Sequence, residues 1–140
     1  MKDCIFCKMA MGLIDNRHQV IYEDNSYIGM LVSHPETDGH FIVFTRDHFS
    51  ELSEITGRGK LFEKTVELAE TITLKLGAPA YVIKMNNRVY RLDNNPLHVG
   101  HVHMHVIPKY MINKNEPPPA AVTKEVLEII KNKLIITAVE

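Results

Sequence analysis

The sequence predicts an α+β fold, a single domain over residues 1–140 built on an antiparallel sheet. Three observations point there. Short segments rich in β-branched and aromatic residues recur along the chain. One long segment carries helical periodicity. The resulting order, β-β-β-α-β-β, lacks the regular strand–helix alternation that a parallel sheet requires.

Residues 4–11 are short and mostly apolar, enough for one or two helical turns before Gly12. Residues 19–23 and 27–33 are strand-like, and Asp24-Asn25-Ser26 between them is a turn signal, which makes a hairpin. Gly39 precedes a third strand, 40–45. Its alternation sets His40, Ile42 and Phe44 on one face and Phe41, Val43 and Thr45 on the other. The helix spans 58–76. Leu61, Thr65, Leu68, Ile72 and Leu76 form one stripe, Phe62, Val66 and Ala69 lie beside it, and Gly77 and Pro79 stop it. So broad an apolar face has room for the sheet and for a partner subunit, although a wide core face alone is the commoner explanation. Residues 80–85 read as a fourth strand, 86–97 as a polar loop, and 101–107 as a fifth strand. Thr123 is a candidate N-cap for a last segment with Val126, Leu127, Ile130 and Leu134 on its apolar side, before a β-branched end at 135–139.

Composition narrows the partners. Lys and Arg number 16 against 17 Asp and Glu, a formal charge of -1, so there is no basic excess to hold a nucleic-acid polymer. A small anion in one pocket is compatible with that balance. No apolar run approaches the ~20 residues that cross a bilayer. The opening Met1-Lys2-Asp3-Cys4-Ile5-Phe6-Cys7 has no long apolar stretch of secretory type, and a cytoplasmic location is expected. Pro117-Pro118-Pro119 reads as a stiff extended connector.

The chemistry concentrates in Gly100-His101-Val102-His103-Met104-His105-Val106-Ile107-Pro108. On a strand, period-two geometry puts His101, His103 and His105 on one face, about 6.5 to 7 Å apart, and sends Val102, Met104 and Val106 into a core. Alternation alone marks any half-exposed strand. Three imidazoles in register are more than that reading needs. Such a row can hold a metal, a phosphate or both, and it supplies a nucleophile, base or acid near neutral pH.

Cys4 and Cys7 form a C-x-x-C, which on spacing alone is a pair of core thiols, a redox pair or half of a zinc site. No strand precedes Cys4, as a thioredoxin-type motif expects, and a disulfide is out of place in a reducing compartment. Zinc needs two more ligands. His18, His34, His40, His48, His98 and the three strand histidines are available. Two thiolates and two neutral imidazoles would close the tetrahedron and leave no open position, making the metal structural rather than catalytic.

Taken together, these residues resemble the histidine-triad (HIT) family. His101-Val102-His103-Met104-His105-Val106-Ile107 meets its histidine–apolar motif. Cys4-Ile5-Phe6-Cys7-Lys8 is similar to the opening of zinc-containing bacterial members, Tyr22-Glu23-Asp24 to their first hairpin, and Gly39-His40-Phe41-Ile42-Val43 with His48 to their Gly-His-strand segment. The resemblance implies a HIT-like fold: a five-stranded antiparallel sheet, one long helix, short terminal helices and a homodimer built partly through the long helix. It assigns His103 as the nucleophile that attacks the α-phosphorus of a nucleotide derivative, forming a nucleotidyl-histidine that water cleaves. His105 would hydrogen-bond phosphate oxygens or the leaving group, and His40 would line the pocket and help orient His103. Cys4, Cys7, His48 and His101 would ligate a structural zinc. Asn86 and Asn87 would meet the substrate, a small nucleotide: a nucleoside phosphoramidate, an adenylated compound or a dinucleoside polyphosphate; His98, outside the matched motif, is a further substrate-binding candidate.

The departures are specific. Pro96-Leu97-His98 stands where the family has Gly-Gln-Ser or Gly-Gln-Thr, whose hydroxyl binds phosphate; His98 is a candidate replacement. Val32 stands where many members have an acidic or amide residue for the ribose. The Asn86-Asn87 loop is longer, lacks the family's glycines and contains Arg88 and Arg91, candidate phosphate contacts. A non-catalytic nucleotide-binding or scaffolding module and a catalytic metal centre made by the three strand histidines are the competing readings.

Overall fold

The computed structural model describes residues 4–92, 99–110 and 130–132. A short helix, α1 (Ile5–Ala10), leads into the hairpin β1 (Val20–Glu23) and β2 (Tyr27–Leu31), then β3 (Phe41–Thr45), the long helix α2 (Arg58–Leu76), β4 (Ala80–Lys84) and β5 (His103–Lys109). All pairings are antiparallel, and the sheet order is β1-β2-β3-β5-β4. The last strand is thus inserted between the third and fourth. The five-stranded sheet and long helix of the sequence reading are both present.

The period-two alternation divides the sheet cleanly. Phe41, Val43, Val102 and Val106 pack against Leu61, Leu68, Ala69 and Ile72 of α2. Ile28, Met30, Ile42 and Phe44 pack on the opposite face against Cys4, Phe6 and Cys7. The two buried threonines of α2 do not leave hydroxyls unpaired: Thr65 donates to the Leu61 carbonyl and Thr73 to that of Ala69. Gly77 ends the helix in the left-handed region (φ 72°), its N–H reaching the Thr73 and Leu74 carbonyls. Of the apolar residues beside the helical stripe, Ala69 is buried whereas Phe62 is 53% exposed.

Each strand differs from the sequence reading by one or two residues at an end, and two of these boundaries matter to the site. The fifth strand begins at His103 rather than at residue 101. The Val102 N–H donates to the Phe49 carbonyl instead of to a ladder partner, so His101 lies in a bend ahead of the strand. The third strand begins at Phe41, because the His40 N–H closes a turn onto the Thr37 carbonyl. Residues 130–132 are helical, with Ile130 against the core and Lys131 Nζ donating to the Arg17 carbonyl. The Thr123 cap, Val126, Leu127, Leu134, the 135–139 end and the Pro117–119 connector lie outside the described residues. Among the described residues, no helix is long and apolar enough to cross a membrane.

The turn that delivers His40 depends on Gly39. Its φ is +83°, and a Cβ there would collide with Leu76 Cδ1 at the end of α2. Gly39→Ala should therefore lower unfolding free energy by about 1–2 kcal/mol, chiefly through left-handed backbone strain. Urea denaturation monitored by circular dichroism measures it; an unchanged midpoint contradicts this role.

Candidate functional site

α1 delivers three side chains to one end of the sheet. Cys4 caps the helix, its sulfur accepting the Cys7 N–H at 3.4 Å. Phe6 stacks on Phe44, ring centroids 4.6 Å apart, and presents its ring edge-on to His101 and His103. Cys4 Sγ lies 3.2 Å from His101 Nδ1, and Cys7 Sγ lies 3.2 Å from His48 Nδ1 and 3.7 Å from His101 Nδ1. The ligand atoms of Cys4, Cys7, His48 and His101 all fall within 4.8 Å of one another. The edges of a tetrahedral zinc site with sulfur and nitrogen ligands measure about 3.3 to 3.8 Å, from Zn–S near 2.3 Å and Zn–N near 2.0–2.1 Å.

The outward nitrogens of both imidazoles are engaged. His101 Nε2 is 2.7 Å from the Thr45 carbonyl, which only accepts, so the proton is on Nε2 and the Nδ1 lone pair faces the sulfurs. His48 Nε2 meets the Ser50 hydroxyl at 3.1 Å. This outer hydrogen bonding is how ligand histidines are usually held. Burial, then the hydrogen bond and charge of Cys4, push the Cys7 thiol up to about 11. The Cys7 thiol is thus held protonated until a cation compensates its thiolate.

The remaining triad histidines sit on β5 with their own fixed tautomers. His103 Nδ1 lies 2.7 Å from the His101 carbonyl, so Nδ1 carries the proton and Nε2 carries the basic lone pair. The ring is only 6% exposed. His40 Nδ1 accepts the Glu36 N–H at 3.1 Å, leaving its proton on Nε2, 2.9 Å from His105 Nδ1. His105 then carries its own proton on Nε2. The two neighbouring rings, 5.0 Å apart, therefore differ: one offers a lone pair at Nε2, the other a donor. Desolvation pushes His40 down to about 4 and His105 down to about 3, aided at His105 by the neighbouring His103 and His40. Both rings are neutral at pH 7.

Residues 14–112 match the HIT domain. A HIT-like protein of Methanocaldococcus jannaschii is 33% identical over 109 residues, covering 76% of this chain and 79% of its own. The chain belongs to the HIT domain family. An adenosine 5'-monophosphoramidase of Schizosaccharomyces pombe is 28% identical over 106 residues, 76% of this chain and 74% of that protein. Among solved structures, a zinc-bound histidine triad family protein from Mycobacterium smegmatis superimposes with a TM-score of 0.70 at 23% identity, covering 95% of this chain and 94% of that one.

Within this HIT fold the residues singled out from sequence fall into two groups. Cys4, Cys7, His48 and His101 form one; His40, His103 and His105 form the other, on the adjoining stretch of the same face. His40 meets His105 rather than His103, so any effect on the latter passes through His105. Among the described residues, the one metal-type cluster is that of the two thiols with His48 and His101. The rings of His101, His103 and His105 do not converge on a point, against a catalytic metal held by all three. His18 and His34 are absent from both groups. Asn86 is exposed beyond the end of β4, and Asn87 Oδ1 accepts the Leu52 N–H at 2.9 Å. Arg88 and Arg91 both bind the Glu51 carboxylate, at 2.9 and 2.7 Å. Val32 packs at the edge of the α1-side core. His98 lies outside the described residues.

Sequence reasoning missed the backbone carbonyls of Thr45 and His101, the Glu36 N–H and the Ser50 hydroxyl, which together set the four ring orientations. No residue-type signal marks a backbone group. Ser50, two residues from His48, was the detectable one.

Stability should follow the neutral rings. His40 is 4% exposed, and its titration falls from 6.5 to about 4 on folding. The unfolded chain then takes up the proton first, so stability is complete above pH 6.5 and drains away as pH falls toward 4, by at most about 3 kcal/mol from this ring. His105 acts in the same direction. Denaturant midpoints measured from pH 7.5 to 4.5 should fall through this window for wild type, and less steeply for His40→Gln.

Proposed function

We propose that this chain is a nucleotide hydrolase or nucleotidyl transferase that works at the α-phosphate of nucleoside phosphoramidates, adenylated compounds or dinucleoside polyphosphates through a covalent His103 adduct. The observation that carries this reading is the His103 Nδ1 contact with the His101 carbonyl, which holds a proton on Nδ1 and leaves Nε2 as the nitrogen to attack. In the first step a bond forms from His103 Nε2 to the α-phosphorus, and the bond from phosphorus to the leaving group breaks. The leaving group departs with that electron pair and takes up a proton from solvent. The adduct ring is cationic, and its Nδ1–H stays on the His101 carbonyl, which stabilises the charge. His105 Nε2–H donates to a phosphoryl oxygen, and His40 keeps that donor in place by giving its own Nε2–H to His105. In the second step water attacks phosphorus, the P–N bond breaks, the water proton goes to solvent, and neutral His103 returns. Asn86, Asn87 and His98 belong to the substrate side of this proposal. The adenosine 5'-monophosphoramidase relative in Schizosaccharomyces pombe is consistent with it.

Cys4, Cys7, His48 and His101 would hold a structural zinc ion, with the chemistry of the donor set as support. Zinc bound there supplies the positive charge that keeps both thiolates buried. The chain's own part is orientation: His101 is fixed by Thr45, and its carbonyl fixes His103. We further propose a homodimer, supported by the open edge of β4 and by Phe62 and Leu74 of α2, 53% and 82% exposed.

His103→Ala should reduce turnover of adenosine 5'-phosphoramidate by a factor of at least 10³ while leaving the circular dichroism spectrum and zinc content as in wild type. Wild type quenched in acid during turnover should yield a His103 peptide heavier by one nucleotidyl group. Near-normal activity of the variant sinks the mechanism. Nucleotide binding with neither turnover nor adduct would instead assign a binding or scaffolding module. Cys7→Ser should bring zinc by elemental analysis from about one per chain to a small fraction and lower the melting temperature. Light scattering should return twice the chain mass.

A further inference from the structure

Lys84 is a charge that neither the triad nor the metal cluster uses. It ends β4, the edge strand, and in the ladder its direct partner is His105. Directly opposed residues bring their Cβ atoms to about 4.5–5.5 Å, on one face of the sheet. Lys84 therefore stands on the histidine face, next to the ring that offers the Nε2–H donor. The ordinary reading of an edge-strand lysine is protection against strand pairing. This one does more than point into water. Its Nζ lies 3.0 Å from Glu36 Oε2, and the Glu36 N–H holds His40 Nδ1. The ion pair thus spans the rim of the site, from β4 to the segment that precedes β3.

That segment is anchored independently. Thr37 Oγ1 donates to the Pro108 carbonyl at 2.6 Å, and the Tyr110 hydroxyl donates to the Asp38 carbonyl at 2.8 Å. The rim does not need the ion pair to stay in place. The pair itself is open to solvent, with side chains 45% and 52% exposed, and exposed pairs of this kind are readily exchanged for a better partner. The cations of the loop after β4 are committed elsewhere, Arg88 and Arg91 both to Glu51. His40 and His105 are neutral. An anion lying against His105 would therefore meet Lys84 as the adjacent positive charge on β4.

Direction follows from in-line displacement. The bond that breaks lies on the far side of phosphorus from the attacking nitrogen. With His103 attacking and His105 holding an oxygen, the next side chain across the ladder on that face is Lys84. We infer that Lys84 binds an anionic group carried beyond the α-phosphorus, a further phosphate or a sulfate, and so selects nucleotides with an anionic leaving group over those that release a neutral amine. Glu36 holds the ammonium until such a group arrives. This inference rests on the proposed reaction for its catalytic meaning, but the binding preference can be measured without turnover.

The test compares ratios. Calorimetric affinities for AMP, ADP and adenosine 5'-phosphosulfate are measured on the full chain as wild type, Lys84→Met, Lys84→Arg and Glu36→Gln. The ADP-to-AMP affinity ratio should fall about tenfold in Lys84→Met, return in Lys84→Arg, and rise or hold in Glu36→Gln. A fall for ADP alone identifies a phosphate chain as the group read; a fall for the phosphosulfate alone identifies sulfate. An equal loss for AMP and for both extended ligands, or no loss for any, overturns the inference. The same comparison in kcat/KM, an anionic-leaving-group substrate against adenosine 5'-phosphoramidate, should show the same tenfold change of ratio. Absence of turnover and of a His103 adduct in wild type, with the binding ratio still falling, would overturn the proposed reaction while leaving the role of Lys84 standing.

Discussion

His101 is the residue on which the rest of the site depends. One ring nitrogen faces two thiols, the other is held by the Thr45 carbonyl, and its own backbone carbonyl sets the proton position on His103. The metal-type cluster and the His103 ring are thus separated by one residue's covalent frame. The contact from that carbonyl to His103 is short and directional, so a small tilt of the His101 peptide would weaken it. The bend that takes His101 off the ladder makes the contact possible. On a continued strand its carbonyl would be directed at a neighbouring strand, not at the ring two residues on.

The second organising feature is the division of labour between the two faces of the sheet. The face toward α2 is apolar and supplies stability through Phe41, Val43 and Val106, all fully buried, as is Ile72 on the helix they meet. The face toward α1 mixes Ile42 and Phe44 with His103 and His105, and the Phe6 ring touches one histidine of each group, His101 and His103. A buried imidazole is tolerable there because each has a hydrogen-bond partner. Among the described residues no buried side-chain nitrogen or oxygen is left without one. The neutrality of His40 and His105 follows from the same desolvation. The polar rim is held differently. Arg88 adopts a left-handed backbone (φ 66°), unusual for a side chain of its kind, and its guanidinium on Glu51 helps hold the loop there.

Much of this was legible in the residues. The period of Leu61, Thr65, Leu68 and Ile72 reproduces α2 at Arg58–Leu76, because amphipathic spacing and a left-handed glycine are local signals. The strand alternation placed Ile42 and Phe44 opposite Phe41 and Val43, and the resemblance grouped Cys4, Cys7, His48 and His101. What escaped is non-local. That Val102 bonds to Phe49, that His40 reaches His105 and that Arg88 and Arg91 converge on Glu51 are properties of chain segments meeting in space. Residue type and spacing carry no record of them.

The sheet order has a consequence for how the molecule is made. β5, the last of the five strands to leave the ribosome, occupies the slot between β3 and β4, and Cys4 meets His101 across 97 positions of chain. Until that strand is synthesised, β3 and β4 each present an unpaired edge, and the helix has only part of its sheet to rest on. Folding here is governed by contacts distant in the chain, which close late and slowly. An interrupted translation product would carry neither histidine group assembled, because both draw on residues of the last strand and the bend before it.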